Sequence, residues 1–407
     1  MWFAGIDWAD THHDAVVIDA AGQRVGAIRV SHNAAGLAKL VVFLRGIGDG
    51  DSVTDPDRLA CIVETSHGLL ITALLEAGLP VYPVNPTTVD RHRKPAGAKT
   101  DAIDAYLRAR TGRSDRADLR RLTPDSPLIA ELKALTRDQD TLIQSQTRLV
   151  NQLTACLKAY YPVALELCGK LQQPTTLAFL RAFPTPEQAQ AATAKQIART
   201  LRAAGYAPAD TKAAEIRQTL REPQLHAAPP LVRAKARLML ALVAQLRPVI
   251  DDIAAYDTEI DRLFRQHPDS TAFMSLPRAG ARLAPRLLAE WGDDRGRYAD
   301  ARSVQALAGT APVAVQSGNY ARVRKRSACI KPLRNVLYQF AWQSTLAEEW
   351  AAEYYQRKRQ AGKSHPMAVR ALANQWVRII YALWTTRTAY DQEVFHAAQQ
   401  AHAPHAA

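Results

Sequence analysis

The chain has 407 residues, 47% hydrophobic and 22% charged, a globular composition that excludes an extended disordered polypeptide and whose length predicts two or three domains. Lysine and arginine exceed aspartate and glutamate by 13 and the pI is near 9.7, so a polyanion is the expected partner, nucleic acid first, because basic surfaces bind phosphate backbones with release of counterions. No apolar run approaches the roughly 18 residues of a membrane span, and MWFAGIDWAD is neither a secretory leader nor a basic amphipathic helix, so no membrane partner and a cytoplasmic, nucleoid-associated location are expected.

Residues 1 to about 111 read as alternating strands and helices. MWFAGIDWA, DAVVIDAAG and QRVGAIRV are strand-like, with Ala21-Gly22 as a turn between the second and third. GLAKLVVFLRGIG is helical, RLACIVET a buried strand, GLLITALLEAG a helix ended by Gly78, and LPVYPVN another strand. The order βββαβαβα is that of a ribonuclease-H-like fold, which actin-like ATPases share; the later part of the chain lacks the glycine-rich phosphate loops of the latter.

Charged residues interrupt this pattern at informative places. Asp7 lies mid-strand in FAGIDWA, where a lone carboxylate needs a cation or a partner. Glu64 repeats the situation at the end of LACIVET. Asp101 and Asp104 sit one turn apart in TDAIDA, on one helix face. Together these four would hold two divalent cations, as in phosphodiester transfer, and Mg²⁺ suits their hard oxygen atoms. The plainer account of TDAID is a Thr100 cap, dipole-favoured aspartates, and an Asp104–Arg108 pair. Asp10, Asp14 and Asp19 lie close enough to Asp7 to be confused with it. His12 and His13 are set aside as ligands, because neighbours on a strand point to opposite faces.

From about residue 127 the periodicity becomes heptad. Leu128, Leu135, Leu142, Leu149 and Cys156 recur every seven residues, with Leu132, Gln139, Gln146, Leu153 and Tyr160 four places after each. A second long helix carries Val232, Met239, Leu246, Ile253 and Ile260 at one position and Leu242, Val249, Tyr256 and Leu263 at the other, with Pro248 expected to kink it. These helices would pair within one chain or between two. The four cysteines, Cys61, Cys156, Cys168 and Cys329, are scattered and read as small core residues.

The last section, to about Asp391, reads as helical with one loop-rich stretch. SLPRAGARLAPRLLAEWGD has the turn and periodicity of a small helix-turn-helix unit. LAGTAPVAVQSGNYARVRKR holds Ser317 and Gly318 ahead of Arg322, Arg324, Lys325 and Arg326, with Lys331 and Arg334 beyond, a cluster suited to a polyanion. A serine hydroxyl is a poor nucleophile until its proton is removed or the developing charge neutralised, and no local triad is present. The tail HAAQQAHAPHAA, with His396, His402 and His405, is expected to be disordered.

Taken together, GIDWA, VET, KTDAIDA, LAGTAPV through SGNYARV, RKRSACIKPLRNVLYQFAW and GKSHPMAVRALANQWVRIIYAL resemble, in the same order, the DEDD transposases of insertion sequence family 110, bridge-RNA-guided serine recombinases. The resemblance implies a RuvC-like nuclease domain over 1–125 with Asp7, Glu64, Asp101 and Asp104 as Mg²⁺ ligands. It implies a coiled-coil dimerisation region over 126–268 and a helical transposase domain over 269–392 whose Ser317 attacks DNA, followed by the tail 393–407. It further implies donor and target DNA and a noncoding guide RNA as partners, a homodimer or homotetramer, a phosphoserine link to the cut strand, and a serine site completed by the metal site of another protomer. One departure is visible: the family's Gly-x-Gly turn is replaced here by Arg278-Ala279-Gly280. A junction nuclease without a covalent intermediate, and a non-catalytic nucleic-acid scaffold, are the alternative readings.

Overall fold

The computed structural model describes residues 1–47, 55, 57–91, 100–167, 169–318 and 320–394. The expected tail with its three histidines, and Cys168, lie outside the described residues. The chain divides into two compact units, Met1–Pro124 and Asp125–Ala407.

The first unit is a five-stranded sheet with helices on both faces. Its elements are β1 (Trp2–Trp8), β2 (His12–Ile18), β3 (Arg24–Ser31), α1 (Ala34–Gly46), β4 (Leu59–Val63), α2 (Leu69–Glu76), β5 (Val81–Pro83), α3 (Pro86–Arg91) and α4 (Asp101–Ser114), the expected order with the short α3 added. The strand order is β3-β2-β1-β4-β5, with β1, β2 and β3 antiparallel and β4 and β5 parallel to β1. Strand alternation sorts the side chains into two cores. Ala4, Ile6, Ala15, Val17, Cys61 and Val63 pack with Leu40, Leu44 and Leu74 of α1 and α2, while Phe3, Val16, Ile18, Ala60 and Ile62 pack with Ala105, Leu107 and Ala109 of α4.

Helix α4 approaches β1 unusually closely. A Cβ placed on Gly5 would lie 1.9 Å from the Ala105 carbonyl oxygen and 2.3 Å from the Ala109 nitrogen, and one on Gly112 would lie 2.4 Å from Ile62. The contact face of α4 is therefore made of alanine and glycine, and the strand meets it with glycine, so backbone rests almost on backbone. That approach decides where the polar edge of α4 ends up.

The second unit is built on two long helices, α5 (Pro127–Tyr160) and α11 (Pro229–Gln266), which pack along each other within the chain. Between them come α6 (Ala164–Leu167), α7 (Pro174–Ala182), α8 (Pro186–Ala191), α9 (Ala194–Ala203) and α10 (Ala209–Arg221), which share a core with the end of α5 and the start of α11. Val232, Met239, Leu246, Ile253 and Ile260 are all buried, as their spacing predicts. On α5 the seam holds at Leu132, Gln139, Leu153 and Tyr160, but Ile129 and Thr136 are buried while Leu128, Leu135, Leu142 and Leu149 are only half-buried. The shift arises because α5 also packs on a later helix. The Gln139 amide donates to Asp257 of α11 at 2.7 Å, so the buried polar layer is satisfied within the chain. Pro248 lies exposed inside α11, and the helix continues through it.

The remaining helices are α12 (Ser270–Met274), α13 (Gly280–Trp291), α14 (Ala301–Leu307), α15 (Lys331–Ser344), α16 (Glu349–Gln360) and α17 (His365–Thr386), gathered around Trp291, Phe340, Trp376 and Trp384. The stretch read as loop-rich is instead a hairpin, β6 (Val313–Ser317) and β7 (Tyr320–Arg324). Its ribbon is largely exposed on both sides, so it carries no apolar alternation to read. Of the described cysteines, Cys61 and Cys156 are buried and Cys329 is partly exposed.

Candidate functional site

Parity places the acidic residues of the first unit together. Gly5 touches α4, so Asp7, two residues on, lies on the α4 face of β1 at the strand's end. The parallel register pairs Ile6 with Val63, and Glu64 follows directly, two residues beyond Ile62 on the same face. Asp101 and Asp104 occupy the first turn of α4, whose Thr100 side chain caps the helix by accepting from the Ile103 amide. The dipole at that end favours both carboxylates.

A single arginine joins the set. Arg108, one turn beyond Asp104 and 4% exposed, brings Nη1 to 2.8 Å from Asp7 Oδ1 and donates from Nη2 to Glu64 Oε2. Burial pushes the Asp7 carboxyl up from the ordinary range. Arg108 opposes that rise, and the charges of Asp104, Asp101 and Glu64 each add to it. The other three sequence-derived carboxylates thus each bear on Asp7, but among the described residues only Asp101 belongs to a group of ligand atoms within 4.8 Å of one another, and its companions there are His12 and Asp14 rather than Asp7, Glu64 and Asp104.

The site is more extensive than the four. The β1–β2 register sets Asp14 directly opposite Asp7, and His12, two residues earlier, points the same way. Asp14 is 7% exposed and receives three hydrogen bonds from Arg29 of β3, at 2.8–3.1 Å. His12 Nε2 stands 3.0 Å from Asp101 Oδ2 and 3.8 Å from Asp14 Oδ2. His12, which the strand alternation alone set aside with His13, thus lies beside the carboxylates. Opposite faces are the rule for His12 and His13, and for that reason one of them had to face the carboxylates. His13 is buried on the far side of the sheet with His32 at 2.8 Å. Burial lowers its basicity, and His32 and His12 lower it further. The hairpin count, with Ala9, Asp10 and Thr11 at the turn, was the signal that pairs Asp7 with Asp14.

The donor chemistry suits hard divalent cations. Asp7, Asp14, Glu64, Asp101 and Asp104 offer oxygen atoms of the kind such ions take, and among the described residues Arg108 pairs with Asp7 and Glu64 while Arg29 pairs with Asp14 and Asp101, where strand ends and a helix start converge.

The other sequence-derived residues lie in the second unit. Ser317 ends β6 and pairs with Tyr320 across a turn begun by Gly318, whose φ of +54° suits glycine. Val315 faces Arg322 and Val313 faces Arg324, so Ser317, Tyr320, Arg322 and Arg324 share one side of the ribbon. All four are exposed, as is Lys325; Arg326 is partly buried. Among the described residues Ser317 makes no side-chain hydrogen bond. Lys331 opens α15, and Arg334, half-buried one turn later, reaches 3.5 Å from Cys329 Sγ. Between α12 and α13, Arg278 and Gly280 both adopt the left-handed conformation, at φ of 55° and 54°. These are the two positions that a Gly-x-Gly turn would occupy, and Arg278 holds its place under strain.

Comparison with known proteins agrees with this distribution. Residues 4–162 match the model of a DEDD transposase family, described as transposase, and residues 270–356 match that of the IS116/IS110/IS902 transposase family. The candidate transposase of the IS117 mini-circle from Streptomyces coelicolor is 32% identical over 402 residues, covering 96% of this chain and 95% of the relative. The 42 kDa protein of insertion element IS900 from Mycobacterium paratuberculosis is 29% identical, covering 98% of each chain. The 44.8 kDa protein of insertion element IS116 from Streptomyces clavuligerus is 29% identical, covering 94% of each. With its acidic site in the first matched segment and its serine hairpin in the second, the chain belongs to the IS110 family of insertion-sequence transposases.

Proposed function

We propose that this transposase cuts and rejoins DNA through Ser317, with divalent cations, Mg²⁺ in the first instance, held by Asp7, Glu64, Asp101 and Asp104. The observation that supports this reading is that the ends of β1 and β4 and the first turn of α4 bring Asp7, Glu64, Asp101 and Asp104 to one edge of the sheet, with Arg108 joining Asp7 to Glu64. A bound divalent cation supplies charge neutralisation for the phosphodiester and for the oxygens that attack and leave.

The strand order and the position of the acidic residues support a RuvC-like fold for residues 1–124. The paired helices α5 and α11 are assigned to dimerisation and the remainder to the serine domain. Ser317 Oγ attacks phosphorus, forming a phosphoserine bond as the bond to the leaving sugar oxygen breaks. The serine proton goes, directly or through water, to that leaving oxygen. Arg322 and Arg324, on the same side of the ribbon, bind the flanking phosphates, with Lys325, Arg326, Lys331 and Arg334 extending the basic track. The carboxylates and the serine belong to different units of the chain, and the active site is assigned to a homo-oligomer in which one copy's carboxylates serve another copy's serine. Sequence choice is assigned to a noncoding guide RNA.

The test is incubation of the protein, co-expressed with the element's RNA, with junction DNA and Mg²⁺, followed by a denaturing gel. A protein–DNA adduct lost in Ser317→Ala is expected. Mixing Ser317→Ala with Asp104→Asn is expected to restore adduct on the serine-bearing copy. The exposed, unassisted hydroxyl of Ser317 favours one rival, a metal-dependent junction nuclease; cut ends without adduct, unchanged in Ser317→Ala, would establish it.

A further inference from the structure

His12 is unused by the four-carboxylate reading, yet it faces the same site. We propose that His12, with Asp14 and Asp101, forms a nitrogen-containing cation position beside the four carboxylates, with Asp101 shared between the two. This position favours Mn²⁺ or a similar borderline divalent ion over Mg²⁺. The inference rests on the reading of the carboxylates as a divalent-metal site.

Four observations support it. The ligand atoms of His12, Asp14 and Asp101 all lie within 4.8 Å of one another. The His12 Nε2 to Asp101 Oδ2 separation is 3.0 Å, and two donors at right angles around an ion, each about 2.1 Å from it, stand about 3.0 Å apart. The second ring nitrogen is engaged: Nδ1 lies 3.0 Å from Thr11 Oγ1, a contact that turns the ring so that Nε2 faces the carboxylates, as an outer partner does for a metal-binding histidine. Finally, a cation already stands at this place. Arg29 Nη2 is 2.8 Å from Asp14 and 3.6 Å from Asp101, but its side chain is 59% exposed and can move into water when an ion arrives.

The imidazole nitrogen sets the preference. An all-oxygen site suits Mg²⁺, whereas a histidine donor shifts selectivity along the divalent series toward Mn²⁺, Co²⁺ and Zn²⁺. The same histidine donating Nε2–H to Asp101 without any ion is the competing account of the 3.0 Å contact, and the experiment separates the two.

The full-length chain, stripped with chelator, is titrated with MnCl₂ and free Mn²⁺ is counted by electron paramagnetic resonance; electron spin-echo spectra of the bound ion are then recorded. Wild type is expected to show ¹⁴N modulation from an imidazole in the Mn²⁺ shell. His12→Ala should lose that modulation and weaken Mn²⁺ binding at least about tenfold, the lower end of losses seen even for partners outside the ligand shell. Arg29→Ala, which removes the competing cation, should tighten Mn²⁺ binding. Absence of nitrogen modulation in wild type, or unchanged Mn²⁺ affinity in a folded His12→Ala, overturns the inference. If Asp104→Asn still weakens binding in that event, the four-carboxylate reading survives it. Wild type that takes up no Mn²⁺ or Mg²⁺ overturns both.

Discussion

Gly5→Ala is the smallest change that tests how the site is assembled. The added methyl would sit 1.9 Å from the Ala105 oxygen and 2.3 Å from the Ala109 nitrogen, both backbone atoms that no rotamer change can move. Relief to the 3.0 Å below which real contacts essentially never fall requires α4 and β1 to separate by about 1 Å at this point. Overpacking of this kind costs about 1–3 kcal/mol, which for a unit of this size lowers the melting temperature by roughly 4–12 °C. The chemical consequence is larger. Asp101, Asp104 and Arg108 ride on α4 while Asp7 rides on β1, and displacing reacting groups by about 1 Å costs on the order of 100-fold in rate. The assay is adduct formation on junction DNA alongside calorimetric melting. Gly46→Ala serves as the control, because its Cβ would meet nothing within 4 Å and it lies in α1. A Gly5→Ala protein with wild-type melting and wild-type adduct yield would refute the close-packing account.

Further outcomes follow from other sites. Arg108→Ala leaves Asp7 and Glu64 without their shared cation, and destabilisation of about 3–5 kcal/mol is expected in chelator; added Mg²⁺ or Mn²⁺ should raise its melting temperature more than it raises that of wild type, and equal shifts would count against metal binding at these carboxylates. His267 is buried, its Nδ1 accepts from the Asp269 amide at 3.0 Å, and Nε2 lies 3.7 Å from Asp293. Burial lowers its basicity, Asp269 and Asp293 oppose, and Arg295 adds to the lowering. Below its ordinary pKa of 6.5 the unfolded chain therefore binds the proton more readily than the native one, so stability is full above about pH 6.5 and declines as the pH falls through that value. His267→Asn should flatten this dependence in tryptophan-fluorescence melts at pH 5.5 and 7.5; an unchanged slope would assign the acid sensitivity elsewhere. Arg278→Gly relieves a left-handed residue and should stabilise the second unit by about 1 kcal/mol, read as a rise in denaturant midpoint, and a fall would mean that the guanidinium makes contacts worth more than the strain.

Much of the first unit was legible because its strands are short, apolar and β-branched, and because a charge such as Asp7 within one stands out against them. The long helices were legible for a similar reason: α11 keeps Val232, Met239, Leu246, Ile253 and Ile260 buried past Pro248, although Val249 and Tyr256 at the other seam position are only half-buried. Helix α4 is the opposite case. Its buried residues mix small ones, Ala105, Ala109 and Gly112, with Asp104, Arg108 and Thr111, leaving Leu107 as the one large apolar side chain, so no apolar stripe announces how near it lies to β1. The hairpin β6–β7 escaped for want of a buried side. Local chemistry along the chain determined which residues carry charge, which segments bury themselves, and that a serine and a basic run follow the acidic residues some two hundred positions later in the sequence. Only the folded sheet decided that Asp14 stands opposite Asp7 with His12 near Asp14 and Asp101, and that Arg108 is buried where it bridges Asp7 and Glu64. Those outcomes depend on strand register and on a backbone-to-backbone approach, both of which arise from contacts between residues distant in sequence and leave no periodic trace in it.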